Sequence, residues 1–570
     1  MKRSNDFINS IIKRMSLDQK VGALLTLGFA GIVPKQHIYD YITKYHCGGL
    51  RLSPEMRIFG KYVDPDSDKT VINVSNKSGY KYENVPPVCT AKEYKEILDE
   101  LQMIAQKRPL SLPLHFSFDQ EGGTSSDMAF PGINIFSKPM GIKATGDKKL
   151  SYLVSKAVAE QSKAIGFNWI HSPVLDVNTV PDNPEIVTRS YSDDANEVAE
   201  YALEACKGYK DGKVIATGKH FPGRGASAVD AHFQVPVIDV DKETLMNREL
   251  LPYRKLFEAG VLPSVMIAHS VFPAIDPDNI ATVSNKILTG LLREELKFEG
   301  VIATDSMTMG GVATRYGVAN ACAMSLEAGA DLVLMKAENQ LVHETIDMIK
   351  KFINEGRISE EELDNKVYRI LDLKHQYGLF YNENDKMESP EAVMNRTSIK
   401  KLSKHVAKKS VLVAKDVKNY LPLKKNETAI VIEQKIKNNN DMQWHSGILY
   451  ENCLRFGADV DYLETDYIYD NTDKENIKAA LPDYSTVIIT NYYLRTMKSN
   501  KVFLEDILKD YKGKVIVVTN TPYEEISIPA EAECVIVTFA TSPDNVEVTA
   551  GALYGEIVPE GVWPITYRLP

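Results

Sequence analysis

The feature that most constrains the fold of this chain is a regular alternation of short apolar, β-branched runs with stretches of helical periodicity. Eight such runs occur within about the first 375 residues: GALLTLGFAG, GGLRLS, LPLHFSFDQEGG, FNWIHSPVLDVN, VIATGKHFPG, PSVMIAHS, GVIATDSM and ADLVLM. Strands that alternate with helices are typical of a parallel sheet with crossover connections. Eight such units predict an α/β fold with a (β/α)8 TIM-type barrel over residues 1–385, with an open doubly wound sheet as the alternative.

A second series of apolar runs follows a helical stretch rich in Lys and Ser, SIKKLSKHVAKKS. It comprises VLVAKD, TAIVIEQ, STVIITNYY, GKVIVVTN and ECVIVTFA. We interpret residues 386–410 as a helical linker and residues 411–570 as a smaller C-terminal α/β domain. Because its predicted strand ends carry few acids, bases or nucleophiles in a recognisable pattern, we favour a packing or dimerisation role over a direct catalytic one. A homodimer is left open.

Charge and hydropathy narrow the classes of partner. The 570 residues carry 67 Lys and Arg against 77 Asp and Glu, a formal net charge of −10. This balance argues against a protein that depends on phosphate contacts with nucleic acid. No run of about 18 apolar residues occurs, so we expect no association with a membrane through a spanning helix. The N-terminal segment lacks the apolar core of a secretory signal, and we therefore expect a cytoplasmic protein.

The sequence shows no motif for a metal or a cofactor. Its six cysteines are scattered singly without CxxC spacing, and we expect reduced, mostly buried thiols. The stretch from Gly212 to Lys219 has the wrong spacing for a nucleotide-binding loop, and HExxH, Cys/His and EF-hand patterns do not occur. We therefore expect no cofactor and no metal. The mild negative charge favours a small or neutral substrate.

Polar residues stand where several of the predicted barrel strands end. They are Asp119, Asp176, Lys219, His220, His269 and Asp305. Because the carboxyl ends of barrel strands converge on one face, these side chains are expected to share one pocket. For Asp305, the residues alone leave open a covalent nucleophile, a general base or a helix N-cap.

The loop KHFPGRGASAVDAHF, residues 219–233, combines glycines with reactive groups. Asp230 and His232 are separated by one residue, so in an extended stretch their side chains point the same way. The carboxylate would then fix the imidazole tautomer and raise its basicity, which predicts an acid/base active near neutral pH. The alternative is a surface Asp-x-His pair without a role.

A set of motifs runs through the predicted barrel. It comprises DQEGG (119–123), SPVLDVN (172–178), the RSYSDD run that begins at Arg189, KHFPGRG (219–225), Asp-Ala-His (230–232), AHSVFPAIDP (268–277), TVSNKILTGLLREELKFEGVIATDSM (282–307) and AGADLVLM (328–335). In sequence and in order these motifs resemble the family 3 glycoside hydrolases, and in particular their β-N-acetylhexosaminidase branch. The C-terminal region, which opens with KKSVLVAKDVKNYLPL, resembles the α/β sandwich domain of that family more weakly.

The resemblance implies roles for particular residues. Asp305 would be the nucleophile that forms a covalent glycosyl-enzyme, and His232, paired with Asp230, would be the acid/base. The residues that would hold the sugar are Asp119, Arg189, Lys219 and His220. Carboxylate acceptors and cationic donors suit vicinal hydroxyl groups.

The resemblance also implies an activity. The expected enzyme is a retaining β-N-acetylglucosaminidase that acts from the non-reducing end on cell-wall or chitin-type fragments. The alternatives are a phosphorylase that uses phosphate instead of water, a β-glucosidase on the same fold, and a catalytically silent sugar-binding homologue.

Some positions depart from the family pattern. Thr124 and Ser125 stand where Arg-Val is common, and Arg224 and Ala226 replace a His and an Asp. Arg224 is interpreted as a solvated loop residue, with a contact to an anionic substrate group as the alternative. The long polar segment from Leu52 to Thr90 is either part of a substrate lid or solvated decoration.

Overall fold

The computed structural model describes residues 4–54, 89–229, 234–336, 340–381, 388–435, 447–493, 499–567 and 569. Most of the predicted lid segment lies outside these ranges. Asp230 and His232 lie outside them as well, so the predicted acid/base pair stays a prediction.

The eight apolar runs of the first series all form strands of one closed barrel, as predicted. These strands are β1 (Leu25–Ala30), β2 (Gly49–Ser53), β3 (His115–Phe118), β4 (Trp169–Ile170), β5 (Ile215–Phe221), β6 (Ser264–Ile267), β7 (Val301–Ser306) and β8 (Leu332–Met335). Their order around the barrel follows the chain, and β8 closes against β1. All neighbouring strands are parallel. The open doubly wound sheet is excluded.

Burial explains why these strands read as continuous apolar runs. Every residue of β2, β3, β5, β6 and β8 is buried, because helices cover the outside and side chains fill the inside. The main helices around the barrel are Gln36–Thr43, Ala91–Gln106, Lys148–Ile165, Ala195–Asp211, Leu251–Glu258, Lys286–Glu295, Val318–Ala328, Gln340–Asn354 and Glu360–Gln376. The helix Lys286–Glu295 is π-helical.

A buried lysine lies at the amino-terminal end of the barrel. Lys374, in the helix Glu360–Gln376, donates hydrogen bonds to the carbonyl oxygens of Gly48 at 2.6 Å and Pro113 at 2.9 Å. These carbonyls lie just before β2 and shortly before β3. Lys374 therefore ties the end of the chain's barrel segment to the face opposite the strand ends that carry the polar residues.

A second sheet follows the helices Pro390–Met394 and Thr397–Ser410. Its strands are β9 (Leu412–Asp416), β10 (Ala429–Gln434), β11 (Val460–Thr465), β12 (Thr486–Thr490), β13 (Lys514–Thr519) and β14 (Cys534–Val537). The order across the sheet is β9-β14-β13-β12-β10-β11, and only β9 is antiparallel to its neighbour. Helices Ile448–Arg455, Asn471–Ala480, Lys501–Leu508 and Pro543–Leu553 belong to this region. The exact limits of the predicted domains and linker stay predictions.

The carboxyl ends of the second sheet face the barrel loops. Phe539, after β14, accepts a hydrogen bond from the backbone N–H of Lys138. The hydroxyl of Tyr523, after β13, accepts one from the Asn178 amide at 2.9 Å. The Tyr493 hydroxyl, after β12, donates to the carbonyl oxygen of Pro184. The second sheet thus supports the loop that connects β4 to the next barrel helix.

Two further expectations from the sequence concern the cysteines and membrane-spanning helices. All six cysteines are free and buried, as expected. Among the described residues, no helix is both long and apolar enough to cross a membrane.

Candidate active site

Those predicted site residues that the structure describes lie at or near the carboxyl ends of the barrel strands. Asp119 follows β3 directly, Lys219 and His220 lie in the last part of β5, and Asp305 is the penultimate residue of β7. Arg189 ends the short 3-10 helix Val187–Arg189 in the loop after β4. These positions follow from the parallel barrel, in which every strand ends at the same face.

Asp119 is held by two cations and remains partly open to solvent. Lys219 Nζ lies 2.7 Å from its Oδ1, and the Arg51 guanidinium contacts its Oδ2. The Asp119 side chain is 29% exposed, whereas Lys219 is 3% exposed. Burial acts to raise its pKa, but Lys219 and Arg51 hold the pKa of Asp119 well below its usual value. Asp119 therefore presents an ionised carboxylate that can accept hydrogen bonds from hydroxyl groups.

Glu121, two residues further on, is a buried carboxylate that sequence reasoning did not single out. Arg189 binds both of its oxygens, at 2.7 and 2.9 Å, and Lys219 Nζ lies 2.6 Å from Oε1. Burial would raise the pKa of Glu121, but Arg189 and Lys219 lower it to about 2. Arg189 and Lys219 are therefore both engaged by carboxylates, and their predicted contacts with sugar hydroxyls stay a prediction.

Arg224 is buried, so its interpretation as a solvated loop residue is wrong. Its side chain is 1% exposed; Nη2 lies 2.5 Å from Oε1 of Glu185, and Nη1 lies 3.6 Å from Oδ2 of Asp305. The loop after β5 brings Arg224 into the interior because Gly225 packs on the backbone of the loop after β4. A Cβ at Gly225 would stand 1.7 Å from the carbonyl oxygen of Val177. Only glycine fits so close an approach.

Asp305 is a partly exposed carboxylate near the end of β7. Its side chain is 17% exposed, and its Oδ1 accepts a hydrogen bond from the backbone N–H of Ser306 at 2.7 Å. The next helix begins at Gly310 with Met309 at its N-cap position, so Asp305 does not cap it. The N-cap alternative is thereby excluded, while the nucleophile and general-base alternatives remain.

His269 supports the backbone next to Asp305. Its Nδ1 lies 2.7 Å from the Thr282 hydroxyl, and its Nε2 lies 3.1 Å from the carbonyl oxygen of Ser306. An imidazole buried between these two groups fixes the turn that follows Asp305. His269 is therefore a buried residue that supports the backbone next to Asp305, and it is not exposed in the site.

His220 is paired with Asp176 beneath the loop that carries Arg224. Its Nδ1 lies 2.7 Å from Oδ2 of Asp176, whose Oδ1 accepts a hydrogen bond from the Arg224 backbone at 2.7 Å. Burial raises the pKa of Asp176 to about 6, against the lowering influence of Arg224. This pairing fixes the orientation of the His220 ring. The contact of His220 with a sugar stays a prediction.

The charged side chains of the site form one continuous series, which we call the ion-pair chain. In order, its members are Asp127, Arg51, Asp119, Lys219, Glu121, Arg189, Glu185, Arg224 and Asp305. Its charges alternate in sign along its whole length, so each buried charge has an opposite neighbour. The series joins four barrel strands and the loop after β4, and Asp119 and Asp305 are its most exposed members.

Metal binding is not indicated by the site's geometry. Within the described ranges, no group of three or more His, Cys, Asp and Glu side chains is arranged to hold a metal ion. The carboxylates of the site instead bind Arg and Lys side chains.

A closed parallel barrel with ionisable groups gathered at its strand ends is the architecture of barrel enzymes. Residues 16–373, more than half of the chain, match the Glycosyl hydrolase family 3 N terminal domain. The chain belongs to glycosyl hydrolase family 3.

Several relatives are similar to this chain. Beta-hexosaminidase A of Pseudoalteromonas piscicida is 30% identical over 298 residues, which are 49% of this chain and 50% of that protein. The beta-N-acetylglucosaminidase/beta-glucosidase of Cellulomonas fimi is 28% identical over 338 residues, 58% of this chain and 59% of that protein. The chain thus spans little more than half the length of these curated relatives.

One solved structure matches almost the whole chain. It is that of a glycoside hydrolase family 3 beta-N-acetylglucosaminidase from Paenibacillus sp. str. FPU-7, with a TM-score of 0.82 and 26% identity. The match covers 97% of this chain and 99% of that chain. The likeness therefore includes the second sheet as well as the barrel.

Proposed function

We propose that this protein is a retaining β-N-acetylglucosaminidase that removes terminal N-acetyl-β-glucosaminides from cell-wall or chitin-type fragments. Family membership and the names of the relatives support the class of substrate. The observation that carries the proposal is the placement of Asp305: a partly exposed carboxylate at the end of β7, 3.6 Å from a buried arginine. An ionised carboxylate in this position suits nucleophilic attack on a sugar carbon.

In the proposed first step, an Asp305 oxygen forms a bond to the anomeric carbon while the bond from that carbon to the leaving oxygen breaks. His232, oriented by Asp230, gives its proton to the leaving oxygen. In the second step His232 takes a proton from water, which attacks the anomeric carbon and releases Asp305. Two displacements retain the β configuration.

Asp119 and its cations are assigned to sugar binding. The carboxylate of Asp119 accepts hydrogen bonds from sugar hydroxyls, while Lys219 and Arg51 keep it ionised and fixed in direction. Arg189 and Lys219 act through Glu121 and Asp119, and His220 is oriented by Asp176. A preorganised set of acceptors and donors is what sugar recognition requires.

The proposal is tested with an aryl N-acetyl-β-glucosaminide and the matching β-glucoside, each with and without phosphate. We expect free N-acetylglucosamine at a rate that phosphate does not change, with the β anomer appearing first in proton NMR. A sugar 1-phosphate would identify a phosphorylase, and faster turnover of the glucoside a β-glucosidase. Turnover of neither substrate would support a silent homologue.

The role of Asp305 is tested by substitution. Asp305→Ala removes the carboxylate, and we expect the activity to fall at least about 10³-fold, because Asp305 is the group that forms the glycosyl-enzyme in the proposed mechanism. The control is Asp347→Ala, which removes an aspartate that is 62% exposed on an outer helix. Full activity in Asp305→Ala would overturn the assignment.

A further inference from the structure

The Arg224 guanidinium touches two carboxylates that have different fates in the proposed reaction. One is Glu185, which is 2% exposed and lies 2.5 Å from Nη2. The other is Asp305, which lies 3.6 Å from Nη1 and is partly exposed. A buried guanidinium stays charged, since arginine does not lose its proton in proteins.

We infer that Arg224 is a positioning residue that holds the Asp305 carboxylate ionised and aimed at the sugar, and that Glu185 is its permanent counter-ion. The inference rests on the proposed function of Asp305 as the nucleophile. It adds a device that is separate from the sugar-binding residues and the acid/base pair.

The backbone of Arg224 is fixed on three sides. Its N–H donates to Oδ1 of Asp176 at 2.7 Å, and its carbonyl oxygen accepts from the Asn183 amide at 3.1 Å. Gly225 packs directly against Val177. The guanidinium therefore starts from a rigid base, and its distance to Asp305 is set by the fold rather than by a mobile loop.

Hydrogen-bond capacity remains on the side of the guanidinium that faces Asp305. In the described part of the chain, Nε and Nη1 of Arg224 are buried and have no hydrogen-bond acceptor. Nη1 is the atom nearest to Oδ2 of Asp305. A small movement of the carboxylate would convert the 3.6 Å ion pair into a charge-assisted hydrogen bond.

Glu185 keeps Arg224 paired with an anion when the reaction removes the negative charge of Asp305. When Asp305 becomes an ester in the glycosyl-enzyme, its negative charge disappears. A buried guanidinium left without an anion would be strongly destabilising. Because Glu185 keeps the second contact, Arg224 remains paired through both states, and the covalent intermediate is not penalised.

The test is the acid limb of the pH profile of kcat/KM, measured with an activated aryl glycoside that the protein hydrolyses. This limb reports ionisation of the free enzyme's nucleophile. Removing a cation within about 4–6 Å raises a carboxylate pKa by about one unit or more. We therefore expect Arg224→Met to move the acid limb upward by at least about one unit and to lower kcat/KM about tenfold or more at the optimum.

Glu185→Gln is the decisive partner variant. With Glu185 neutralised, Arg224 loses the carboxylate that lies nearest to its guanidinium, and its charge acts more strongly on Asp305. We expect the acid limb to stay in place or move downward, and kcat to fall because the ester leaves an uncompensated cation. A role confined to structural support would move the limb in the same direction in both variants, or in neither, and either result would overturn the inference.

Arg224→Lys separates the effect of losing the charge from the effect of a folding defect in Arg224→Met. Lysine retains the charge, so its acid limb should stay within about half a unit of the wild type even if kcat falls. An upward shift as large as that of Arg224→Met would contradict the charge-based account. The control is Arg357→Met, which removes an arginine from a surface pair with Glu327.

The inference and the proposed function can fail separately. If Asp305→Ala remains active, both fall. If Asp305→Ala is inactive while the acid limb does not respond to Arg224→Met, only the role of Arg224 is overturned.

Discussion

Lys219 Nζ lies 2.6 Å from Oε1 of Glu121, a carboxylate that also binds Arg189 through both of its oxygens. Glu121 therefore holds two of the cations that the resemblance assigns to sugar binding. Its side chain is 2% exposed, so both cations meet it out of contact with solvent. The residues that we propose to bind the sugar therefore depend on a buried carboxylate.

Glu121→Gln should damage both the fold and the site. The amide is neutral, so the buried cations of Arg189 and Lys219 lose their shared anion. Breaking a buried ion pair from one side costs about 3–5 kcal/mol of unfolding free energy. We expect a lower thermal midpoint and a raised KM, measured by calorimetry and steady-state kinetics.

The effect of Glu121 depends on pH in a defined direction. Its pKa falls from the usual 4.5 to about 2 in the folded protein. Its stabilising contribution is thus complete above about pH 4.5 and is lost as the pH falls towards 2. The gap in stability between wild type and Glu121→Gln should narrow below pH 4.5. Glu355→Gln, on the exposed surface, is the control, and an equal gap at every pH would contradict the pairing.

His232→Ala should affect substrates according to their leaving groups. The predicted general acid helps most when the departing oxygen is a poor leaving group, so we expect a loss of about 10²–10⁴-fold on natural-type disaccharides. On activated aryl glycosides the loss in the glycosylation step should be smaller. Asp230→Asn should show the same pattern more weakly, and equal losses on both substrates would argue against an acid role.

The barrel could be predicted because parallel strands buried on both faces leave continuous apolar runs in the sequence. The strand β11 was missed for the opposite reason. It reads VDYLET, lies at the edge of the second sheet, and has exposed residues at Asp461 and Glu464, so it lacks such a run. The antiparallel placement of β9 also carries no signal in its own residues.

The placement of Asp119, Lys219 and Asp305 on one face could be predicted because strand ends converge in a barrel. Glu121 and Glu185 could not, since their importance lies in which cations they meet. Glu185 sits in PDNPEIVT, which reads as an ordinary polar loop. The burial of Arg224 follows from Gly225 packing on Val177, a close approach between two segments that are distant in sequence.

The second sheet should influence substrate binding through Tyr523. Its hydroxyl accepts a hydrogen bond from Asn178, and Asn178 Oδ1 accepts the backbone N–H of Val187, two residues before Arg189. Tyr523→Phe removes one hydrogen bond worth about 1 kcal/mol. We expect KM to rise several-fold with kcat nearly unchanged. The control is Tyr381→Phe, which changes an exposed tyrosine. An unchanged KM in Tyr523→Phe would show that the contact between Tyr523 and Asn178 does not position Arg189.

We expect Lys374 to make the free energy of unfolding depend on pH. Burial lowers the pKa of Lys374 from 10.5 to about 7, with Arg108 adding to the effect. Between these values the unfolded chain binds a proton that the folded chain lacks, so stability from this group rises as the pH rises from 7. The gain amounts to about 3 kcal/mol by pH 9.5.

Lys374→Met removes the ionisable group and should remove that gain. The thermal midpoint of the wild type relative to the variant should therefore be higher at pH 9.5 than at pH 7. Other groups titrate in the same range, and comparing the two proteins at each pH cancels their contribution. Lys351→Met, which removes an exposed lysine, should run parallel to the wild type. If Lys374→Met also runs parallel, the lysine keeps an ordinary pKa, and its bonds to Gly48 and Pro113 hold a charged ammonium at the amino-terminal end of the barrel.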